Sequence, residues 1–299
     1  MNSMSYIKPN LFVLGAPKCG TTSVANWLSQ HPDVFMSKDK EPHYFYSPHH
    51  ANRDIKKYLL NFYDACPSMK YVGEASVWYL FSGEAAPKIL EYNPNARFIV
   101  CIRNPIEMAP SLHAQMVYNG YEKETCFSAA WELAGKREAG IPEKIFNLKR
   151  GDPSHMSYRK ACKLGEQVDN LLKTVPRENV HFVIMDDIKI SPSSAWLDIQ
   201  RFLELKSFDS CDFERKNPAT ARKSLLFHRF VILLTRLKKV MGLKMNLGLS
   251  TSFKNANSQI RDYDRPSPQM TEVMRKEFSS DISLLEKYIG TVPSSWGFG

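Results

Sequence analysis

Long apolar runs are missing from this 299-residue chain. Before Pro17 and Lys18 the opening stretch MNSMSYIKPNLFVLG offers a run of only about five apolar residues, too short for a signal-peptide core and far too short to span a bilayer. A second run, Phe230 to Leu234, sits inside a basic stretch. The expectation is a soluble, non-exported, cytoplasmic protein. Cysteines are few and scattered (Cys19, Cys66, Cys101, Cys126, Cys162 and Cys211), with no CxxC and no clustering with histidine. That pattern excludes a disulfide scaffold and predicts free thiols in a reducing compartment. Internal repeats and long Gly/Ser linkers are also missing, so one domain over residues 1–299 is expected. Acid falls short of base: Asp plus Glu is 31, Lys plus Arg is 40, and the formal charge of +9 suits a polyanionic ligand or surface.

What is present is ordinary globular composition, 43% hydrophobic and 24% charged, which leaves disorder and collagen-like repeats out. Leu11 to Leu14 is continuously apolar and stops at Gly15. A helix over Thr21–Gln30 follows, with Val24, Ala25 and Leu28 on one side and His31-Pro32 at its end. Further strands are predicted at Val34–Met36, Tyr71–Gly73 and Phe98–Ile102, and helices at Glu84–Tyr92 and Pro105–Asn119. The second half adds a helix over Tyr158–Lys173, a strand over His181–Met185 and a helix over Ser194–Leu203. A last helix over Pro268–Tyr288 precedes a tail that docks Trp296 on the core. Runs apolar on both sides, each followed by a helix, indicate a parallel sheet covered on both faces. The fold class is therefore α/β, a three-layer sandwich with a central, mostly parallel sheet. Residues 222–244 hold no acid and read either as a helix packed on the domain with a basic rim or as a peripheral membrane contact.

Gly15-Ala16-Pro17-Lys18-Cys19-Gly20-Thr21-Thr22-Ser23 lies between a strand and a helix, where backbone N–H groups and a helix N-terminus suit a phosphate. Thr21, Thr22 and Ser23 add hydroxyl donors and Lys18 a mobile positive charge. The spacing matches G-x-x-x-x-G-K-[ST], except that Thr21 holds the lysine place and the lysine sits mid-loop. A nucleotide triphosphatase would end an apolar strand with Asp to help hold Mg²⁺; FIVCI runs instead into Arg103-Asn104-Pro105. The loop thus fits a phosphate-bearing nucleotide whose reaction requires no metal. Arg103 stands at the C-terminal edge of its strand, where open parallel sheets bind ligands, and Ser111 follows two turns into the next helix. Alone, Arg103 reads as a salt-bridging edge residue; beside the loop, it reads as a second phosphate site.

These motifs together resemble the 3′-phosphoadenosine-5′-phosphosulfate (PAPS)-dependent sulfotransferases. PKCGTTS resembles the family's 5′-phosphosulfate loop, and IRNPIEMAPS its 3′-phosphate motif, including the interval from Arg103 to Ser111. The resemblance continues through LSQHPDVFMSKDKEPHYF, YVGEASVWYL and VHFVIMDDI. It implies a P-loop-like sulfotransferase fold, PAPS as donor, adenosine 3′,5′-bisphosphate (PAP) as product, and no required metal. Its details are closer to the carbohydrate, heparan-type branch than to the cytosolic phenol and steroid enzymes. Glu41 matches the proposed catalytic base of that branch, whereas the histidine of the cytosolic branch is missing at Glu74-Ala75-Ser76. Ala75 replaces a lysine of the heparan-type pattern. Tyr158 resembles a tyrosine that helps enclose the nucleotide. Ser258-Gln259-Ile260-Arg261 resembles a loop closing over the 3′-phosphate, with Arg261 in the arginine place.

The resemblance and the chemistry imply one division of roles. Glu41 takes the acceptor proton, Lys18 neutralises charge at the bridging oxygen, and the loop (Cys19, Gly20, Thr21, Thr22, Ser23) holds the 5′-phosphate. Arg103, Ser111 and Arg261 hold the 3′-phosphate. His43 competes as base because its reference pKa lies near neutrality, and in an extended segment it would point the same way as Glu41. Glu74 is expected to orient Lys18, contact the acceptor, or form a strand-edge salt bridge. Trp78 and Tyr79 read as core or as an acceptor platform, and Asp186-Asp187 as structural. The acceptor is a hydroxyl or amine, with carbohydrate leading and a hydroxylated small molecule following. A P-loop kinase is the enzymatic alternative. A nucleic-acid-binding protein is a weaker one, because the basic residues are dispersed and no complete motif is present.

Overall fold

In a computed structural model the structure describes residues 7–46, 54–138, 153–214, 220–222, 258–260 and 265–298. Five short strands form its main sheet: β1 (Leu11–Gly15), β2 (Val34–Met36), β3 (Tyr71–Ala75), β4 (Arg97–Ile102) and β5 (Val180–Ile184). All pair in parallel in the order β2-β3-β1-β4-β5. β1 is central and wholly buried, which is why its sequence is apolar on both faces.

The period-two alternation distributes side chains to two helical layers. From one face His181 stacks on Phe202 of a helix over Pro192–Phe202, and α1 (Thr21–Leu28) lies against β1, β2 and β3. From the other face Phe12 meets Phe45, and Glu74 meets Tyr58 of α2 (Ile55–Leu59) and Tyr79 of α3 (Tyr79–Ser82). After α4 (Ala85–Tyr92), the connection from β4 to β5 carries α5 (Pro105–Asn119), α6 (Phe127–Glu138), α7 (Tyr158–Ala161) and α8 (Leu164–Leu172). Next come α9 (Met185–Ile190), α10 (Pro192–Phe202) and α11 (Pro268–Ile289), which packs along α8 and touches α5. The three-layer α/β arrangement expected from the sequence is therefore present.

Several boundaries differ. The first helix ends at Leu28 rather than Gln30, and Met185 opens α9 instead of closing β5. The helix expected over Tyr158–Lys173 is two helices, broken at Cys162-Lys163. There the Asp281 carboxylate of α11 accepts the N–H groups of Gly165 and Glu166, so α8 is capped by a side chain from far along the chain. Ser258–Ile260, expected as a closing loop, pairs antiparallel with Thr220–Arg222 as β7 and β6, and β6 lies against α5. Trp296 docks as expected, buried, with its indole N–H donated to Asp186 at 3.1 Å.

Candidate active site

β1 sends its chain toward β2 and β3, while β4 sends its chain the opposite way to β5. The two strands are neighbours, so the sheet's topological switch point lies between their C-terminal ends. Both candidate phosphate motifs begin there.

After β1, the backbone turns through positive φ at Gly15 (145°), Lys18 (72°) and Gly20 (90°). A Cβ at Gly15 would stand 2.9 Å from the Cys101 carbonyl oxygen, so the close approach of β1 to β4 requires glycine. Lys18 holds a left-handed conformation despite its side chain, at a typical cost of about 1–2 kcal/mol. α1 starts at Gly20 with no side-chain cap and no acid in its first turn, so its positive end carries no anion of its own. That is a fit to a phosphate. Thr21 is buried, while Thr22 and Ser23 are half-buried. The Cys19 side chain is enclosed against Met108, and burial pushes its thiol up to about 12, so only the Cys19 backbone is placed to meet a ligand.

Beyond β4, the Asn104 side chain accepts the Ile106 N–H and Pro105 takes the first helical position, which starts α5 immediately after Arg103. Arg103 has a side chain only 10% exposed. Its Nη1 donates to the Lys18 carbonyl at 2.9 Å, and its Nε and Nη2 donate to Glu107 Oε2 at 3.3 and 2.9 Å. Lys189 also reaches Glu107, at 3.2 Å. Burial would raise the Glu107 carboxyl, but hydrogen bonds from Arg103 and Lys189 hold it below its ordinary value. Arg103 is thus both the salt-bridging edge residue and the neighbour of the loop. Glu107 was missed by the motif reading, although its place one helical turn after Arg103 is legible as an i,i+4 pair. Ser111 is buried two turns into α5.

Glu41 and His43 do come together, but not as an extended pair. Both have positive φ, 58° and 49°, and the tight turn sets His43 Nε2 3.3 Å from Glu41 Oε2. His43 Nδ1 is buried without a partner among the described residues. The His43 N–H is held at 3.1 Å by Ser76 Oγ, just past β3, so the pair sits at the same end of the sheet as the phosphate loop.

Against the strand-edge salt bridge expected for it, Glu74 forms no ion pair among the described residues: it is completely buried and accepts three hydroxyls, from Tyr58, Ser76 and Tyr79. Trp78 and Tyr79 are core residues, and Trp78 stacks on His155 with ring centroids 3.5 Å apart. Tyr158 is enclosed, and its hydroxyl donates at 2.9 Å to Glu122, which Arg137 grips with two N–H groups. Arg261 and residues 223–244 lie outside the described residues. Among the described residues, no group of three or more His, Cys, Asp or Glu side chains is placed to hold a metal, and no helix is long and apolar enough to cross a membrane. The six cysteines are free thiols.

Fold and site together define an α/β protein with a loop and uncapped helix N-terminus suited to an anion at the sheet's switch point. Residues 8–219 match the family model described as the sulfotransferase domain, and the chain belongs to that family. It is similar to the membrane-associated sulfotransferase kil1 of Dictyostelium discoideum, 24% identical over 280 residues, covering 70% of this chain and 59% of that protein. It is also similar to human heparan sulfate glucosamine 3-O-sulfotransferase 6, 29% identical over 205 residues, covering 66% of this chain and 53% of that protein. The chain therefore spans little more than half the length of these two relatives. A crystal structure of a sulfotransferase from Alicyclobacillus acidocaldarius shares the fold, with a TM-score of 0.70 at 23% identity over 97% of this chain and 99% of that one.

Proposed function

We propose that this chain moves a sulfuryl group from PAPS to a hydroxyl acceptor, with carbohydrate as the leading acceptor class. The observation that carries the reading is the 2.9 Å bond from Arg103 to the Lys18 carbonyl. It joins the two candidate phosphate sites across one switch point, within reach of a single nucleotide.

When bound, PAPS supplies the sulfuryl group. The loop N–H groups with Thr21, Thr22 and Ser23 hold the 5′-phosphate end, and Lys18 neutralises charge at the leaving oxygen. Arg103 and Ser111 bind the 3′-phosphate, and Arg261 joins them in this reading. Glu41 accepts the proton of the acceptor hydroxyl, and His43, in contact with the carboxylate, orients it or shares the proton. Tyr158, packed against His113 of α5, supports from the interior the helix that carries Ser111. The carbohydrate acceptor is supported by the Glu41 segment and by the human relative, whose name specifies a glucosamine of heparan sulfate. Peripheral membrane contact through residues 222–244 is part of the same reading, alongside a relative named as membrane-associated.

The direct test is incubation with PAPS and a panel of oligosaccharide and hydroxylated small-molecule acceptors in the presence of a metal chelator. Mass spectrometry is expected to find one acceptor heavier by a sulfuryl group, with PAP released in equal amount. Magnesium-dependent phosphoryl transfer from ATP, with no binding of PAP, would replace this reading with the kinase.

A further inference from the structure

The turn carrying Glu41 and His43 is held from beneath by a carboxylate that does not touch it. Glu74 is fully buried near the end of β3. Its Oε1 accepts the hydroxyls of Tyr58 and Tyr79 at 2.7 and 3.0 Å, and its Oε2 accepts Ser76 Oγ at 2.6 Å. Two of those hydroxyl oxygens accept in turn. Ser76 Oγ takes the His43 N–H and Tyr79 Oη takes the Phe45 N–H, each at 3.1 Å. A backbone N–H can only donate, so each hydroxyl must show a lone pair to the turn and send its own hydrogen elsewhere. Burial pushes the Glu74 carboxyl up and the hydroxyls of Ser76, Tyr58 and Tyr79 pull it back; in its ionised form, which only accepts, it is the partner that enforces this orientation on both at once.

We propose that Glu74 is a positioning residue for the proton-accepting pair, setting the Ser76 and Tyr79 hydroxyls so that they clamp alternate N–H groups of the turn bearing Glu41 and His43. A role in packing alone would be met by an uncharged side chain without the desolvation that a buried carboxylate suffers. The turn needs such a clamp. Glu41 and His43 both adopt left-handed backbone, a conformation that persists only where its surroundings over-determine it. The relay also accounts for the sequence Glu74-Ala75-Ser76: with Glu74 inside the sheet layer, the Ser76 hydroxyl comes back to the same carboxylate. The functional consequence rests on the sulfotransfer reading; the clamp itself does not.

The test compares Glu74→Gln, Ser76→Ala and Tyr79→Phe by amide hydrogen exchange, PAP affinity and turnover with the acceptor returned by the screen above. Gln keeps the volume but offers an NH₂ group that reverses one relay. Exchange at the His43 and Phe45 amides is expected to quicken about tenfold or more in Glu74→Gln, measured against Val13 in the core of β1. Ser76→Ala should release His43 alone and Tyr79→Phe should release Phe45 alone, a selectivity that general loosening does not produce. The kcat should fall about tenfold or more while the donor KM and PAP affinity stay within about twofold, because the nucleotide site is left intact. Wild-type exchange rates in all three variants would overturn the clamp. Faster exchange with unchanged kcat, or kcat and PAP affinity falling together, would overturn its link to proton transfer. Should the wild-type protein transfer no sulfuryl group, the functional reading falls while the exchange arm still decides the clamp. Ser76→Ala, the smallest change, serves if Glu74→Gln does not fold.

Discussion

Arg103 donates to the backbone carbonyl of Lys18 across 2.9 Å, joining the end of β4 to the loop after β1. The bond lies beside a left-handed Lys18, so the guanidinium braces the conformation of the loop. One residue thereby ties together the two candidate phosphate sites.

Replacing that brace tests the site directly. Arg103→Lys keeps the charge but cannot serve the Lys18 carbonyl and Glu107 through a planar fork. Loss of a charged hydrogen bond of about 1.5–3 kcal/mol predicts PAP binding weaker by roughly 10- to 100-fold in calorimetry. Near-normal affinity would remove Arg103 from the nucleotide site.

Lys18 separates charge from backbone. Both Lys18→Ala and Lys18→Gly are expected to lower kcat by about 10²–10³-fold, the usual effect of losing one transition-state donor. Glycine keeps the left-handed conformation without strain, so equal losses would assign the effect to the ammonium group. Recovery in the glycine variant alone would assign it to the backbone.

For the base, Glu41→Gln is expected to reduce kcat by about 10²–10⁴-fold with PAP affinity unchanged. His43→Asn is expected to cost less. A larger loss in the His43 variant than in the Glu41 variant would exchange their roles.

The buried Glu122–Arg137 pair supplies a pH prediction. Burial would raise the Glu122 carboxyl, but hydrogen bonds from Arg137, the Glu124 N–H and Tyr158 hold it below its ordinary value. A carboxyl depressed in the folded state adds stability above its unfolded pKa, near 4.3, and loses it as pH falls through the folded value. Denaturant titrations should therefore show stability declining below about pH 4.3 in the wild type and a shallower decline in Glu122→Gln. At neutral pH that variant should be less stable by about 1.5–3 kcal/mol, because the buried Arg137 loses its charge-assisted hydrogen bonds to the Glu122 carboxylate. A variant as stable as wild type would show that the pair contributes nothing.

Gly165→Ala tests the joint between α8 and α11. A Cβ there would overlap the Asp281 carbonyl oxygen and crowd its carboxylate. Stability should fall by about 1–3 kcal/mol, seen as a lower Tm, with kcat per folded molecule unchanged. An unaltered Tm would mean that α11 shifts freely.

Much of this was legible in the sequence because it depends on neighbours along the chain. The alternation of Leu11–Leu14 and Phe98–Ile102 with helical segments defines a parallel sheet, and Gly15-to-Ser23 and Arg103-to-Ser111 carry their own spacing. Pattern reading erred where two periodicities ran together. Tyr158–Lys173 looks like one helix until Asp281 caps a new one at Gly165. It erred again at Glu41 and His43, where the extended reading gave way to left-handed turns stabilised by Ser76 and Tyr79.

Taken alone, the amino-acid order determined the α/β class, the phosphate-type loop and the residues that meet at the sheet's C-terminal end. Tertiary structure alone decided what each polar group bonds to: Arg103 with Lys18 and Glu107, Glu74 with three hydroxyls, Tyr158 with Glu122. The reason is range. Strand and helix patterns repeat over a few residues, whereas a buried donor or acceptor must find its partner wherever packing brings one, and only the assembled core places those partners within hydrogen-bond distance.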